Sequence, residues 1–404
     1  MKSTFLSFSC FALFLVVFAG CSSNDDSEPE VKNYQKVNTL AVETIKTFLT
    51  SSGQSQMVDD IFYGVDIYTY RYPMEYQGKN ITASGLVCVP VAAGKSFPVL
   101  SFQHGTMVAK NEAPSVSYAY LTHLSLSMLA GMGYVLVIPD LVGFGSSSDY
   151  FHPYLNKESN VNAVVSMLES VKVLPDGTLS GVSTNDSLFL AGYSQGGWIT
   201  LATMQYLELQ NNTGWDVIGT ACGAGPYNPE QLMKYVLQQE TYPKPFYLAY
   251  VLLSYIEDGT ISDQLSIYFN EPYASKVKGL FDGINSGTTI DAGLTTVTHD
   301  LFTEDVFDYP ELSAYAELKE AFAQNRVEAW HNETPLLLLH GEMDTYIPQE
   351  LSDTIYSQFV LAGSENVTYQ PIPLNDHNTA AIPAIALAVE WFQSFRMDEQ
   401  MALK

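Results

Sequence analysis

One serine sits between glycines directly after an apolar run: Gly192-Tyr193-Ser194-Gln195-Gly196, preceded by residues 187–191, Ser-Leu-Phe-Leu-Ala. A serine hydroxyl becomes a nucleophile only with a base beside it and an acid that orients the base. In strand–turn–helix settings of this kind the acid and then the histidine follow the serine along the chain. The stretch Leu336-Leu337-Leu338-Leu339-His340-Gly341-Glu342-Met343-Asp344 is a buried strand followed by a loop carrying Asp344. Asp376-His377-Asn378 then falls between a further strand and the last helix. The expected constellation is therefore Ser194 as nucleophile, His377 as base and Asp344 as acid, with Glu342 the competitor for the acid. None of the remaining histidines, His104, His123, His152, His299, His331 and His340, combines that chain order with a loop after a C-terminal strand. His340, at a strand end, reads as a structural residue.

Glycine at both flanks of Ser194 suits a strained turn, where any side chain would meet the strand or the helix. The following helix N-terminus would lend partial positive charge to a developing oxyanion. Gln103-His104-Gly105-Thr106 follows a second apolar run, and Gly105 would let the backbone approach a substrate carbonyl. The expected oxyanion donors are the backbone N–H groups of Gln195 and Thr106, with Met107 the alternative to Thr106. No metal site is expected, since no CxxC or His/Cys cluster is present.

These residues need elements to hold them. Apolar and β-branched runs predict strands at 65–72, 81–89, 97–102, 134–138, 188–193, 217–222, 335–340 and 367–372. Helical spacing predicts helices at 38–49, 118–129, 158–173, 196–209, 349–361 and 379–395. The turn at residues 77–80, Gln-Gly-Lys-Asn, makes the first two strands a hairpin. Strands alternating with helices imply a mostly parallel sheet covered on both faces. The rhythm breaks for about a hundred residues after Pro226, an aromatic-rich stretch expected to be a cap over the site.

The ordered set QHGT, PDLVGFGSSSDYFHPYL, GYSQGG, HGEMDTYIP and NDH resembles α/β-hydrolases of the secretory lipase type. The likeness covers residues 60–225 and 333–396. It implies the α/β-hydrolase fold with an inserted cap, and ester hydrolysis through an acyl-enzyme without cofactor. It also implies that Asp140 and His152 brace the loop beside the site.

The chain has 404 residues, 47% hydrophobic and 15% charged, as a globular protein with a large core should. Its formal charge of −26 argues against nucleic acid and against binding an anionic membrane through a basic face. Lys2 opens an apolar run from Phe5 to Ala19 that is too short for a comfortable span and sits where a signal peptide sits. Ala19-Gly20-Cys21 resembles a bacterial lipobox, with Phe18 in place of the usual leucine. Cys21 would then carry a diacylglycerol, and residues 22–30 would be an acidic tether. Cys88 and Cys222 lie in strand-like runs and are expected as two buried thiols, a disulfide between them being the alternative.

The expected organisation is a signal peptide (1–20), a tether (21–33), a first core part (34–225), a cap (226–332) and a second core part (333–404). The expected function is a serine ester hydrolase of the bacterial envelope, anchored to a membrane by its N-terminal lipid only. Its substrate would be a small-molecule or polysaccharide-linked ester, with a short acyl or an aromatic (acetyl or feruloyl) group. The alternatives are a triacylglycerol lipase, a serine peptidase of the prolyl oligopeptidase kind, and a surface glycan-binding protein on an inactive hydrolase scaffold. The peptidase reading is weakened because no large N-terminal propeller-like segment precedes the hydrolase part. The glycan-binding reading is weakened by the intact Ser194, Asp344 and His377.

Overall fold

The computed structural model describes residues 33–210 and 213–402. Cys21, the signal segment and all but the last residue of the tether lie outside the described residues. Nine strands form one sheet: β1 (Tyr34–Leu40), β2 (Val65–Tyr76), β3 (Lys79–Pro90), β4 (Ser96–Gln103), β5 (Val135–Pro139), β6 (Ser183–Tyr193), β7 (Asp216–Gly223), β8 (Leu336–Gly341) and β9 (Val367–Ile372). Their spatial order is β1-β2-β3-β5-β4-β6-β7-β8-β9. The pairs from β1 through β5 are antiparallel. Those from β5 through β9 are all parallel. β5 is apolar along its whole length and β8 up to His340, because both of their faces are covered.

One face carries α1 (Val42–Ser51), α2 (Leu121–Ser127) and the closing helix α13. The other carries α3 (Lys157–Lys172), α4 (Gln195–Leu209) and α12. The last two span Glu350–Leu361 (α12) and Ala381–Ala402 (α13). Of the helices that flank the sheet, α4 is the most enclosed. Its first ten residues are all buried, which a sequence apolar on every side permits.

Between β7 and β8 the chain runs through α5 (Pro229–Leu237), α6 (Phe246–Glu257), α7 (Leu265–Tyr268), α8 (Tyr273–Leu280), α9 (Gly287–Gly293), α10 (Thr298–Leu301) and α11 (Ala316–Asn325). Residues Phe246–Ile256 of α6 are buried without a break. Polar links fasten this insertion to the sheet side. Trp198 Nε1 donates to the Asn325 carbonyl at 3.1 Å, Tyr255 Oη to the Leu155 carbonyl at 3.1 Å, and Tyr242 Oη to the Tyr346 carbonyl at 2.9 Å. The described residues form one compact unit.

The strand expectations hold to within a few residues, and the β2–β3 hairpin pairs in full from Val65 with Pro90 to Tyr76 with Lys79. One expectation needs correction. Residues 38–49 are not a single helix. The first three belong to β1, an edge strand whose sequence YQKVNTL lacks apolar alternation, and the helix starts at Val42. Cys88 and Cys222 are both buried and unpaired.

Candidate active site

The parallel strands end on one edge of the sheet, and four of them deliver the residues singled out above. β6 ends at Tyr193, and Ser194 follows in a backbone conformation of φ 59° and ψ −125°. That region costs a non-glycine residue on the order of 1–3 kcal/mol, and it persists only where the surroundings impose it. Here they do. A Cβ on Gly192 would overlap the Gly196 carbonyl, one on Gly196 the Gln103 carbonyl, and one on Gly197 the Gly223 carbonyl. The Ser194 N–H donates to the Gly223 carbonyl at 2.8 Å, which ties the turn to β7. Strand, turn and helix are thus pressed together until the serine is the only side chain able to leave.

His377 comes from the loop after β9. Asp376 shapes that loop by accepting from the N–H groups of Asn378 (3.0 Å) and Thr379 (2.8 Å). Tyr193 Oη donates to the His377 carbonyl at 2.7 Å, so β6 fixes the histidine backbone as well as the serine. His377 Nε2 lies 2.9 Å from Ser194 Oγ, and Nδ1 lies 2.6 Å from Asp344 Oδ2. A carboxylate only accepts, so Nδ1 carries the proton and Nε2 is free to accept from the serine hydroxyl. The three residues are only 5–7% exposed.

Asp344 follows β8. Its Oδ1 accepts from the N–H groups of Tyr346 and Ile347, both at 2.9 Å. Burial pushes its carboxyl up, but donors from His340 and His377 outweigh this and hold it at about 2. Glu342, the competitor for the acid role, is exposed. Its N–H pairs with the Ile372 carbonyl, and its side chain takes no part in the cluster.

The segment after β4 lies against the serine. A Cβ built on Gly105 would come within 3.6 Å of Ser194 Cβ. The N–H groups of Thr106 and Met107 bond to no other described residue, and the Gln195 N–H opens α4, where an N–H has no intrahelical acceptor. Thr106 Oγ1 is held by Tyr154 Oη at 2.9 Å. Glu112 Oε2 accepts from the N–H groups of Val108 (2.9 Å) and Ala109 (3.0 Å) and so shapes the same loop.

Asp140 and His152 sit under these donors. Asp140 is fully buried and accepts from Ser84 Oγ at 2.6 Å and the Ser115 N–H at 2.8 Å. Desolvation raises its pKa. His152 Nδ1 lies 2.7 Å from the Val142 carbonyl and must donate to it. Burial lowers its pKa to about 3, so Nε2 stays unprotonated and accepts from Gln195 Nε2 at 2.8 Å. This fixes the Gln195 amide orientation and leaves its Oε1 without a partner. His104 is likewise buried and lowered to about 4. Among the described residues no group of three or more His, Cys, Asp or Glu side chains is placed to hold a metal.

Two contributors escaped the sequence reading, Tyr193 through its hydroxyl and Glu112 through its backbone bonds, and His340, read as structural, lies against Asp344. Glu112 had no motif to mark it. The tyrosine was visible only as the variable position of GxSxG.

A nine-stranded mixed sheet with helices on both faces, a strained serine after its sixth strand and an aspartate and histidine after its eighth and ninth define an α/β-hydrolase. The secretory lipase family model matches residues 112–403, and the chain belongs to that family. Solved structures agree on the fold. A Legionella pneumophila hydrolase superposes with a TM-score of 0.81 at 24% identity, covering 90% of this chain and 97% of its own. The rice cell wall degrading esterase LipA from Xanthomonas oryzae gives 0.76 at 22%, covering 91% and 98%. Candida antarctica lipase A in its closed state gives 0.61 at 16%, covering 88% and 81%. No curated protein sequence matches the chain. Family and fold together make it a carboxylic-ester hydrolase.

Proposed function

We propose that the enzyme cleaves its ester through a covalent acyl-enzyme on Ser194. The observation that carries this is the unbroken hydrogen-bond chain from Ser194 Oγ through His377 to Asp344 at a strained turn. His377 Nε2 takes the hydroxyl proton as Oγ attacks the ester carbonyl. Asp344 stays ionised, holds the Nδ1–H tautomer and stabilises the imidazolium. The N–H groups of Gln195 and Thr106 receive the oxyanion, each such donor contributing roughly 3–4 kcal/mol to the barrier reduction. The C–O bond to the alcohol breaks as His377 returns the proton to the leaving oxygen. Water, activated by the same histidine, then frees the acid and restores Ser194. No step needs a metal or cofactor.

The substrate is an ester of a short acyl or aromatic acid. The three residues are nearly closed off from solvent, and residues 226–332 act as the cap that covers them. Beside the loop after β4 lies a cavity of about 220 Å³, bounded by Val108, Gly143, Phe144, Phe151, His152, Tyr250 and Phe281 among others. Its aromatic residues are joined by Lys110, Asp149 and Asp282, a mixed lining that suits a compact polar or aromatic group better than a long alkyl chain. The relative described as a cell wall degrading esterase favours an ester linked to a polysaccharide. Lipidation at Cys21 would present the enzyme on the envelope where such polymers arrive.

The test is hydrolysis of p-nitrophenyl acetate, butyrate, octanoate and palmitate and of methyl ferulate, with Ser194→Ala in parallel. Activity on the short or aromatic esters, abolished in the variant, is the expected result. Activity that peaks on palmitate and rises at a lipid interface would replace this reading with a triacylglycerol lipase. Undiminished turnover by Ser194→Ala would overturn the acyl-enzyme mechanism.

A further inference from the structure

We infer that His340 is a positioning residue for this reaction, holding the far side of the Asp344 carboxylate and so setting the pH at which His377 is free to accept a proton. The inference rests on the Ser194–His377–Asp344 reading above. His340 interrupts an otherwise aliphatic strand end, Leu336-Leu337-Leu338-Leu339-His340, and is fully buried. A ring there needs partners for both nitrogens, and it has three. Nε2 lies 2.8 Å from the Ile347 carbonyl and 3.3 Å from Asp344 Oδ2. Nδ1 lies 2.7 Å from Ser352 Oγ on α12. Both neighbours of Nε2 only accept, so that nitrogen carries the proton and Ser352 donates to Nδ1.

The Asp344 carboxylate therefore receives three hydrogen bonds, two from backbone N–H groups on Oδ1 and one from His377 on Oδ2, and the His340 Nε2–H, bonded to the Ile347 carbonyl, lies 3.3 Å from Oδ2 as a further electrostatic contact. The share given by His340 has two effects. It fixes the plane of the carboxylate against the β8 side. It also draws charge from the oxygen that faces His377. Without it Asp344 would be a stronger acceptor for the His377 proton, His377 would hold its second proton to higher pH, and the carboxylate itself would be easier to protonate. All of this moves the acid limb of the activity profile upward.

The other groups facing Asp344 do not titrate along that limb. Tyr193 on β6 and Tyr235, Tyr242 and Tyr247 from the insertion are all raised by burial and stay neutral. Asp376 is lowered by its hydrogen bonds from Thr379 and is already ionised. Tyr346 covers the His377 ring at 5.4 Å, with the Lys244 ammonium 5.4 Å beyond it.

The experiment is the pH profile of kcat and KM on p-nitrophenyl butyrate for the wild type, His340→Leu, His340→Gln, Ser352→Ala and Ser194→Ala. His340→Leu should lower kcat about tenfold, the loss of one polar contact to a charged group and of the bond that holds the Ile347 carbonyl, with KM little changed. Its acid limb should move up by roughly half to one pH unit. Glutamine, which places an N–H near the Nε2 position, should restore most of both. Ser352→Ala should shift the limb in the same direction by less, and it decides the matter if His340→Leu does not fold. Acid limbs that superimpose on the wild type in every folded His340 and Ser352 variant, with Ser194→Ala inactive, would overturn this inference alone. An active Ser194→Ala would instead remove the reading beneath it.

Discussion

At the scale of single residues, the site is defined as much by what glycine omits as by what serine supplies. A methyl group on Gly196 has nowhere to go but into the Gln103 carbonyl, a backbone atom that cannot rotate away. Gly196→Ala should therefore cost stability as an overpacked core does, about 1–3 kcal/mol, and abolish turnover by shifting the serine. A lowered Tm with an inactive folded fraction would check this; full activity would contradict it. The buried histidines make a second prediction. His104 and His152 are lowered to about 4 and about 3 by burial, against an unfolded value near 6.5. Below pH 6.5 the unfolded chain binds protons that the folded one refuses, so stability should fall as pH drops from 6.5 towards 4. Asp344, at about 2, adds about 2 kcal/mol that is present above pH 4 and lost as pH falls through 2. Asp140, raised by burial, acts in the opposite sense near pH 4. Tm followed from pH 7 to pH 4 should decline across the histidine range, before the carboxylates titrate. A flat Tm down to pH 5 would contradict the burial argument.

At the scale of elements, the loop after β4, expected to supply a backbone donor, takes its shape from side chains outside its QHGT stretch. Its hydrogen bonds come from Glu112, Tyr154 and, through Ser115, from Asp140. Glu112→Ala releases two N–H groups close behind Thr106. It should lower kcat about tenfold while Tm changes by only a few degrees, because the helices and strands are untouched. Equal kcat in variant and wild type would show that the loop holds its shape unaided. The element scale is also where the sequence was most and least legible. Strands β4 to β8 announced themselves because each has a stretch enclosed on both faces that reads as a short apolar run, and β9 by its β-branched and aromatic residues. The parallel order and the post-strand positions of Ser194, Asp344 and His377 followed from that alone. β1 was hidden by its polar edge sequence, and α5 to α11 by their shortness and by aromatic residues that pack in every direction. His340 was read correctly as buried and structural. Its approach to Asp344 depends on a loop turning back across four residues, which no periodicity encodes.

At the scale of the whole molecule, the sheet is asymmetric. Its antiparallel end is long and doubly hydrogen-bonded through the β2–β3 hairpin, while its parallel end stops at β9. That strand is six residues long, pairs only with β8, and buries only its final residue, Ile372. The loop that carries His377 hangs from it. Catalytic competence and global structure should therefore part company under mild stress, since the edge of a sheet opens at lower free energy than its centre. In rising urea, ester turnover should vanish at a concentration where the fluorescence of Trp198 in α4, read in a variant with Trp215, Trp330 and Trp391 replaced by Phe, is still native, and it should return at once on dilution. Coincident loss of both signals would show the edge to be as firmly held as the core. If the two separate, this chain has an activity that can be switched off and recovered without being unfolded, with β9 as the fuse.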